Sequence, residues 1–486
     1  MLAKLRSMAV IGIDAFEIGI EADITEMLPS FTIVGLPDGA VRESRERVMS
    51  AIKNCGYEFP ARKVTINMAP ADIRKEGSAF DLPIAVGLLV TSGQVDIENL
   101  EDMVIVGELS LDGSVKRVKG MLSMAVCARE QGFKGMIVPS ENAGEASVAE
   151  GLPVYPVGSL QEALQVLRQP DAAEPAAQDI QSLFSCARSY GADFRDVKGQ
   201  EHVKRALLVA AAGGHNIMMV GPPGSGKTML ARRLPTILPD LSLDEALVTT
   251  KIHSVAGLLT PDTPLIATRP FRSPHHTISD AGLTGGGSYP RPGEVSLSHH
   301  GVLFLDELPE FGKNVLENLR QPLEDGRVTI SRAAMSLSYP ARFMLAVALN
   351  PCPCGYYTDS RHTCTCSPEQ IRRYMSRISG PLLDRIDIHI EVPALSYEEL
   401  AQKTPGRDSE SIREEVVRAR ESQLTRFNGE IDLFCNAHME PRHLRSHCEL
   451  DRDSQELLRN AIEKLGFSAR AYDRILKVAR TVADLA

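Results

Sequence analysis

The sequence predicts an α/β protein built on a doubly wound parallel sheet, and three observations carry that reading. Two short unbroken apolar runs, Ile217-Met218-Met219-Val220 and Val302-Leu303-Phe304-Leu305, have the length and composition of strands buried on both faces. A glycine-rich loop follows the first at once, and an acidic pair follows the second. Strand-like runs alternate with helical stretches from Asp193 to about Pro393, the order that lays strands side by side and parallel.

Taken in chain order, residues 1–168 read as a mixed α/β domain. Strands such as Val64-Thr65-Ile66-Asn67-Met68 and Met103-Val104-Ile105-Val106 are interleaved with helices near Val41 to Asn54 and Leu122 to Glu130. Residues 169–190 read as a linker, because Gln169 to Ala177 is small, polar and proline-bearing without periodicity. Residues 191–395 form the parallel-sheet core, and 396–486 are helical. The clearest segment there, Ser409 to Phe427, carries Ile412, Val416, Val417 and Leu424 about one turn apart among charges.

At 486 residues the chain exceeds one hydrophobic core. A hydrophobic share of 43% with 24% charged residues describes a soluble globular protein rather than a disordered one. Neither a leader-like N-terminus nor a run approaching the ~20 residues of a membrane span is present, so no membrane partner and a cytoplasmic location are expected. A net charge of −10 opposes whole-surface attraction to nucleic acid, so any DNA contact must use a local basic surface.

Gly221-Pro222-Pro223-Gly224-Ser225-Gly226-Lys227-Thr228 matches the phosphate-binding loop of nucleotide triphosphatases. Its glycines let backbone N–H groups curl around phosphates, Lys227 is a point charge for the β/γ-phosphates of ATP, and the Thr228 hydroxyl can ligate Mg²⁺. Asp306 and Glu307 end the second apolar run as a Walker B pair. Asp306 would hold the Mg²⁺, and Glu307 would orient and deprotonate the attacking water.

Cys352-x-Cys354 and Cys364-x-Cys366, nine residues apart, supply four thiolates, enough for a structural Zn²⁺, with His362 as a spare ligand. A redox pair, an iron–sulfur site and free thiols are the alternatives. The scattered Cys55, Cys127, Cys186, Cys435 and Cys448 suit a reducing compartment. Cys435, His438, His443, His447 and Cys448 are irregularly spaced and read as a solvated helical face rather than a second metal site.

Together these residues resemble the AAA+ ATPases of the magnesium-chelatase-like branch, specifically the YifB/competence protein ComM family, over nearly the whole chain. Asp196-Val197-Lys198-Gly199-Gln200 is similar to the box lining the adenine pocket, which places Val197 and Gly199 at the nucleotide. The resemblance makes Asn350 sensor 1, positioning the lytic water. It makes Arg385, in Leu383-Asp384-Arg385-Ile386-Asp387, the arginine finger acting in trans, and Arg470 the sensor 2 arginine on a helical lid. Surface salt bridges are the competing roles for both arginines, and Arg474 competes with Arg470.

The same resemblance implies a homo-oligomer, a hexameric ring, and a chain that continues past Ala486. It further implies a helix-2 insertion containing Arg269-Pro270-Phe271-Arg272-Ser273-Pro274-His275-His276, and a hairpin after Gly326 that points Arg332 into a channel as a phosphate contact; bracing of neighbouring elements is the alternative for each arginine. Glu76 to Ala79 and Gly107 to Val115 resemble the proteolytic domain of Lon. Leu122 stands where that pattern has its lysine, so Ser78 lacks a base and is expected to be inert. Two functions remain open: an ATP-driven DNA motor for branch migration of recombination intermediates, and a chelatase-type ATPase that remodels a partner protein.

Overall fold

The computed structural model describes residues 2–187, 191–287, 289–332, 336–357, 359, 361–396, 399, 401, 406–430 and 433–486. The end of the expected linker, the tip of the hairpin that carries Arg332 and the Cys186 side chain lie outside the described residues. The chain divides into two compact units, residues 1–185 with 246–266, and residues 186–245 with 267–486.

The first unit is a seven-stranded mixed sheet. Its strand order is Ser30–Val34, Lys63–Ala69, Asp14–Thr25, Leu2–Ile11, Met103–Ile105, Gly135–Pro139, Val154–Val157. The helices Gly39–Asn54 and Asp81–Thr91 contribute Val48, Ile52, Leu82 and Leu88 to a core with Leu5, Ile20 and Ile66 from the strands, all buried. Part of the expected linker belongs here. Ala176 donates its N–H to the Val154 carbonyl at 2.8 Å, and a helix runs over Ile180–Ala187, which the proline-bearing run just before it had masked. Residues 246–266 also fold into this unit. The Ser254 hydroxyl donates to the buried Glu145, whose carboxylate also accepts from the Leu122 N–H at 3.0 Å.

The second unit carries the expected parallel sheet. Its five strands run in the order Phe271–Arg272, Val302–Leu305, Met344–Leu349, Ile217–Val220, Ile388–Glu391, every neighbouring pair parallel. The three central strands are almost wholly buried, which is why they are apolar without alternation. Helix Glu201–Gly213 packs against Ser409–Phe427, where Gln423 and Arg420 donate to the carbonyls of Ala212 and Ala211 at 3.1 and 2.8 Å. Further helices over Pro441–His447, Arg452–Leu465 and Ala469–Asp484 complete the helical C-terminal region. Among the described residues no helix is long and apolar enough to cross a membrane.

Arg47 and Asp81 form a two-point ion pair in the first unit, Nε to Oδ2 at 2.6 Å and Nη2 to Oδ1 at 3.0 Å. Asp81 is fully buried, and desolvation pushes its carboxyl up to about 6 despite the arginine. Arg47→Leu should therefore strand a buried carboxylate and cost about 3 to 5 kcal/mol in denaturant unfolding at pH 7. A carboxyl whose folded pKa is raised favours folding below its unfolded pKa and loses that contribution as pH rises through the folded value. The deficit of the variant should accordingly shrink below pH 4.

Candidate active site

Register brings the functional residues to one edge of the parallel sheet. Val220 pairs with Leu349 and Leu305 with Val347, so Gly221 and Asn350 leave the sheet level with each other, and Asp306 leaves the neighbouring strand two residues short of Asn350, at the same end. This is the crevice beyond the C-terminal strand ends where open α/β sheets take ligands. Asn216 sets that alignment from the other end. Its side chain accepts from the Leu345 N–H and donates to the Arg385 carbonyl, both at 2.8 Å, tying three strands to a common start.

The loop from Gly221 through Pro222, Pro223, Gly224 and Ser225 turns at Gly226, φ 90°, into the helix Lys227–Ala231. The Lys227 ammonium is buried and donates to the carbonyls of Gly221 and Pro222 at 2.8 and 2.9 Å, and to Asn350 Oδ1 at 3.3 Å. Burial pushes its pKa down, against the opposing pull of Asp306 and Glu307. Thr228 Oγ1 donates to Asp306 Oδ2 at 2.5 Å. Paired hard oxygens beside a cationic loop are the donor set that Mg²⁺ takes together with phosphate oxygens and water. Glu307 follows Asp306 in the left-handed region, φ 53°, with its carboxylate exposed.

Gln200 was not singled out within its box, yet it pins the loop. Also left-handed, it donates to the carbonyls of Ser225 at 3.0 Å and Pro393 at 2.9 Å. With Gly199, Pro393, Leu395 and Glu399 it lines a cavity of about 360 Å³, while Val197 is buried in the core. No periodicity announces such a contact; a glutamine after Gly199 at a tight turn is its only trace.

Arg385 and Arg470 stand elsewhere. The Arg385 carbonyl is bonded to Asn216, at the start of the strand whose end leads to Lys227. Both guanidinium groups meet Glu324 Oε1, Arg470 at 3.1 Å, in a cleft of about 600 Å³ that also holds Lys477. Arg474 is spent on structure, donating to the carbonyls of Leu383 and Ile386 at 3.2 and 2.6 Å. Arg470 keeps 58% of its side chain exposed, against 20% for Arg474.

The arginines of the insertion divide the same way. Arg269 donates to the carbonyls of Pro239 and His300 at 2.5 and 2.7 Å, and Arg272 makes two bonds to Glu294 at 2.6 and 2.7 Å. They brace neighbouring elements, the alternative that the sequence leaves open for each. The hairpin is present, Arg327–Ser331 paired with Ser336–Pro340, and Arg332 is exposed at its end.

The four cysteines converge, with all four Sγ atoms within 4.8 Å of one another. Separations of 3.3 Å for Cys352 and Cys354, 3.7 Å for Cys352 and Cys364, and 3.6 Å for Cys354 and Cys364 lie near the ~3.8 Å edge of a tetrahedron of thiolates about 2.3 Å from a zinc ion. Backbone N–H groups of Tyr357 and Cys354 donate to the sulfurs of Cys352 and Cys366. His362 lies outside the group, its ring against Tyr356 and its Nδ1 3.6 Å from Asp359. The knuckle also touches the nucleotide loop: a Cβ on Gly355, φ 87°, would stand 2.5 Å from Pro223 Cδ.

Two other groups differ from expectation or refine it. Cys435 and His443 are buried, so that segment is not a solvated face. Burial of Cys435 is outweighed by His438 and Arg420, which pull its thiol down to about 5. His443 is held by Glu430 at 2.9 Å, and the only metal-like cluster among the described residues remains the four cysteines. In the first unit Ser78 donates to Glu108, Leu122 is fully buried, and the buried Lys75 gives its ammonium to the Pro70 carbonyl.

Comparison with known proteins finds three family descriptions along the chain. The family descriptions "Subunit ChlI of Mg-chelatase", "Magnesium chelatase, subunit ChlI" and "Magnesium chelatase, subunit ChlI C-terminal" match residues 20–142, 193–400 and 406–486. The chain is 45% identical to the uncharacterized protein YifB of Salmonella typhimurium, over all of this chain and 93% of the relative. It is 43% identical to the competence protein ComM of Haemophilus influenzae, over all of this chain and 94% of the relative. Identity to the chloroplastic magnesium-chelatase subunit ChlI of Chlamydomonas reinhardtii is 27%, over 47% of this chain and 61% of the relative. With an AAA+ core of parallel strands, a mixed N-terminal sheet and a helical C-terminal region, the chain belongs to the YifB/ComM family of magnesium-chelatase-like proteins.

Proposed function

We propose that this chain hydrolyses ATP as a homohexameric ring in the cytoplasm and uses the energy to move on DNA, driving branch migration of recombination intermediates. One observation carries the reading. The phosphate loop, Asp306 and Glu307 lie at one end of the parallel strands, whereas Arg385 and Arg470 converge at the other. Arginines so placed cannot serve their own subunit's nucleotide and suit that of a neighbour, as a ring provides.

In this reading ATP exchanges its phosphate oxygens for the Gly221 and Pro222 carbonyls at Lys227. Thr228 and Asp306 would hold Mg²⁺, which when bound would supply neutralisation of phosphate charge. Glu307 takes a proton from the attacking water while Asn350 holds that water in line, and the bond from the γ-phosphorus to the bridging oxygen breaks as ADP leaves. Arg385 and Arg470 of the adjacent subunit, released from Glu324, stabilise the charge that develops.

Support for DNA comes from the exposed Arg332 at the end of a hairpin and from likeness to a protein named for competence. The second reading, ATP-driven remodelling of a partner protein, is favoured by the magnesium-chelatase descriptions that match along the chain. For the cysteine cluster a single structural zinc is proposed, on the spacing of its sulfur atoms.

Arg385→Ala and Glu307→Gln should each bind ATP and fail to hydrolyse it. Mixtures of the two should recover part of the activity, since one kind of interface then holds an intact site, and no recovery at any ratio would count against the shared site. Elemental analysis should find one zinc per chain. Cys352→Ser with Cys354→Ser should abolish it and, through Gly355 and Pro223, weaken ATP binding; iron in place of zinc would overturn the assignment. Wild type should bind DNA with strong salt dependence and little sequence preference, and move a four-way junction only with ATP. Arg332→Ala should lower DNA affinity and DNA-stimulated turnover while leaving basal hydrolysis intact. An assembled ring indifferent to single-stranded, duplex and branched DNA at low salt would favour partner remodelling.

A further inference from the structure

We infer that His215 is the positioning residue for the arginine pair, a buried clamp that sets where Arg385 and Arg470 stand relative to each other. The inference rests on the reading that both arginines serve a neighbouring subunit's nucleotide.

Two segments far apart in sequence carry the pair. Arg385 lies in the turn before the strand Ile388–Glu391, and Arg470 in the first turn of the helix Ala469–Asp484. On that helix Arg470, Arg474, Lys477 and Thr481 recur at the three- and four-residue spacing that puts side chains on one face. Arg474 ties this face to the carbonyls of Leu383 and Ile386, on either side of Arg385. Two turns on, Thr481 Oγ1 shares a 2.8 Å hydrogen bond with His215 Nε2, while His215 Nδ1 stands 3.4 Å from Asp387 Oδ2. One imidazole thus spans the helix and the residue two places beyond Arg385.

The second tie matters because of leverage. Arg470 stands about 16 Å along the helix axis from Thr481, at 1.5 Å per residue. Joined to the Arg385 segment at Arg474 alone, the helix could pivot and carry Arg470 away from its partner; a further fixed point at Thr481 removes that freedom. The sequence makes room for the contact. A Cβ on Gly213 would collide with the His215 ring and stand 2.6 Å from Thr481 Oγ1, so a glycine is what lets ring and hydroxyl meet at the end of the helix Glu201–Gly213. Asn436 donates to the same hydroxyl at 3.0 Å and steadies it. His215 and Thr481 are fully buried, whereas Gly214 and Asn216 line the cleft with Arg385 and Arg470, so the imidazole stands behind the wall where the arginines converge. Its action is on the backbone that carries them.

The test uses the full chain, with ATP turnover measured beside equilibrium binding of a fluorescent ATP analogue. His215→Leu and Thr481→Val should each lower kcat by about 10- to 100-fold, the cost of a misplaced catalytic group, with analogue affinity within about twofold of wild type. Mixing then shows which side of the subunit interface is damaged. Either variant mixed with Glu307→Gln should recover part of the activity, because its own intact phosphate loop meets an intact arginine pair. Neither should recover with Arg385→Ala, because every interface then lacks a working pair. Recovery with Arg385→Ala would overturn the inference by placing the fault at the variant's own phosphate loop, and recovery with neither partner would reduce His215 to a general structural role. Wild-type kcat in either variant would also sink it. Should His215→Leu fail to fold, Thr481→Val carries the same test alone. Absence of recovery between Arg385→Ala and Glu307→Gln themselves would instead remove the shared-site reading, a failure separate from that of His215.

Discussion

The arrangement of the second unit depends on one side chain at the quiet end of its sheet. Asn216 accepts from Leu345 and donates to the Arg385 carbonyl, while its own carbonyl accepts from Asp387 and Ile388 at 3.0 Å. Strands buried on both faces are apolar throughout, so burial alone does not choose their register. A clamp at their common start does. The effect appears at the far end, where Thr228 and Asp306, 78 residues apart in sequence, share a 2.5 Å hydrogen bond. A one-residue slip of the strand before Asp306 would put Leu305 opposite Thr228 and turn Asp306 away.

The cationic groups at the two ends have partners of opposite character. At the phosphate loop Lys227 is satisfied by neutral carbonyls, a weak arrangement that an anion displaces readily. In the opposite cleft a single carboxylate, Glu324, is shared by two arginines. One carboxylate thus faces two guanidinium groups, and Arg385 has the Pro381 carbonyl as a further acceptor.

Much of this was legible in the sequence where chemistry and periodicity coincide. The runs 217–220 and 302–305 are strands to the residue, Ser409–Phe427 is a helix with both ends as read, and the paired cysteines converge. Three kinds of feature were hidden. Gln200 and Glu324 act through contacts between segments far apart in the chain, which no local pattern encodes. His276 sits in a segment noted for its arginines, yet Arg269 and Arg272 turn inward and the histidine faces Glu307. The helix Ile180–Ala187 was obscured by the proline-bearing run before it, since composition reads windows and not ends.

The excursion of residues 246–266 into the first unit changes what it means to divide this chain. A cut at the linker severs one covalent crossing and leaves two, because the backbone enters that unit again before Ala246 and leaves it after Ile266. A fragment ending near residue 185 would expose the carboxylate of Glu145 and the apolar surroundings that Ser254 and its helix now cover. The complementary fragment would carry a twenty-one-residue graft with nothing to fold against. The N-terminal sheet and the parallel-sheet core are thus joined by three crossings of the backbone, at residues 185–186, 245–246 and 266–267, so neither is released by a single cut.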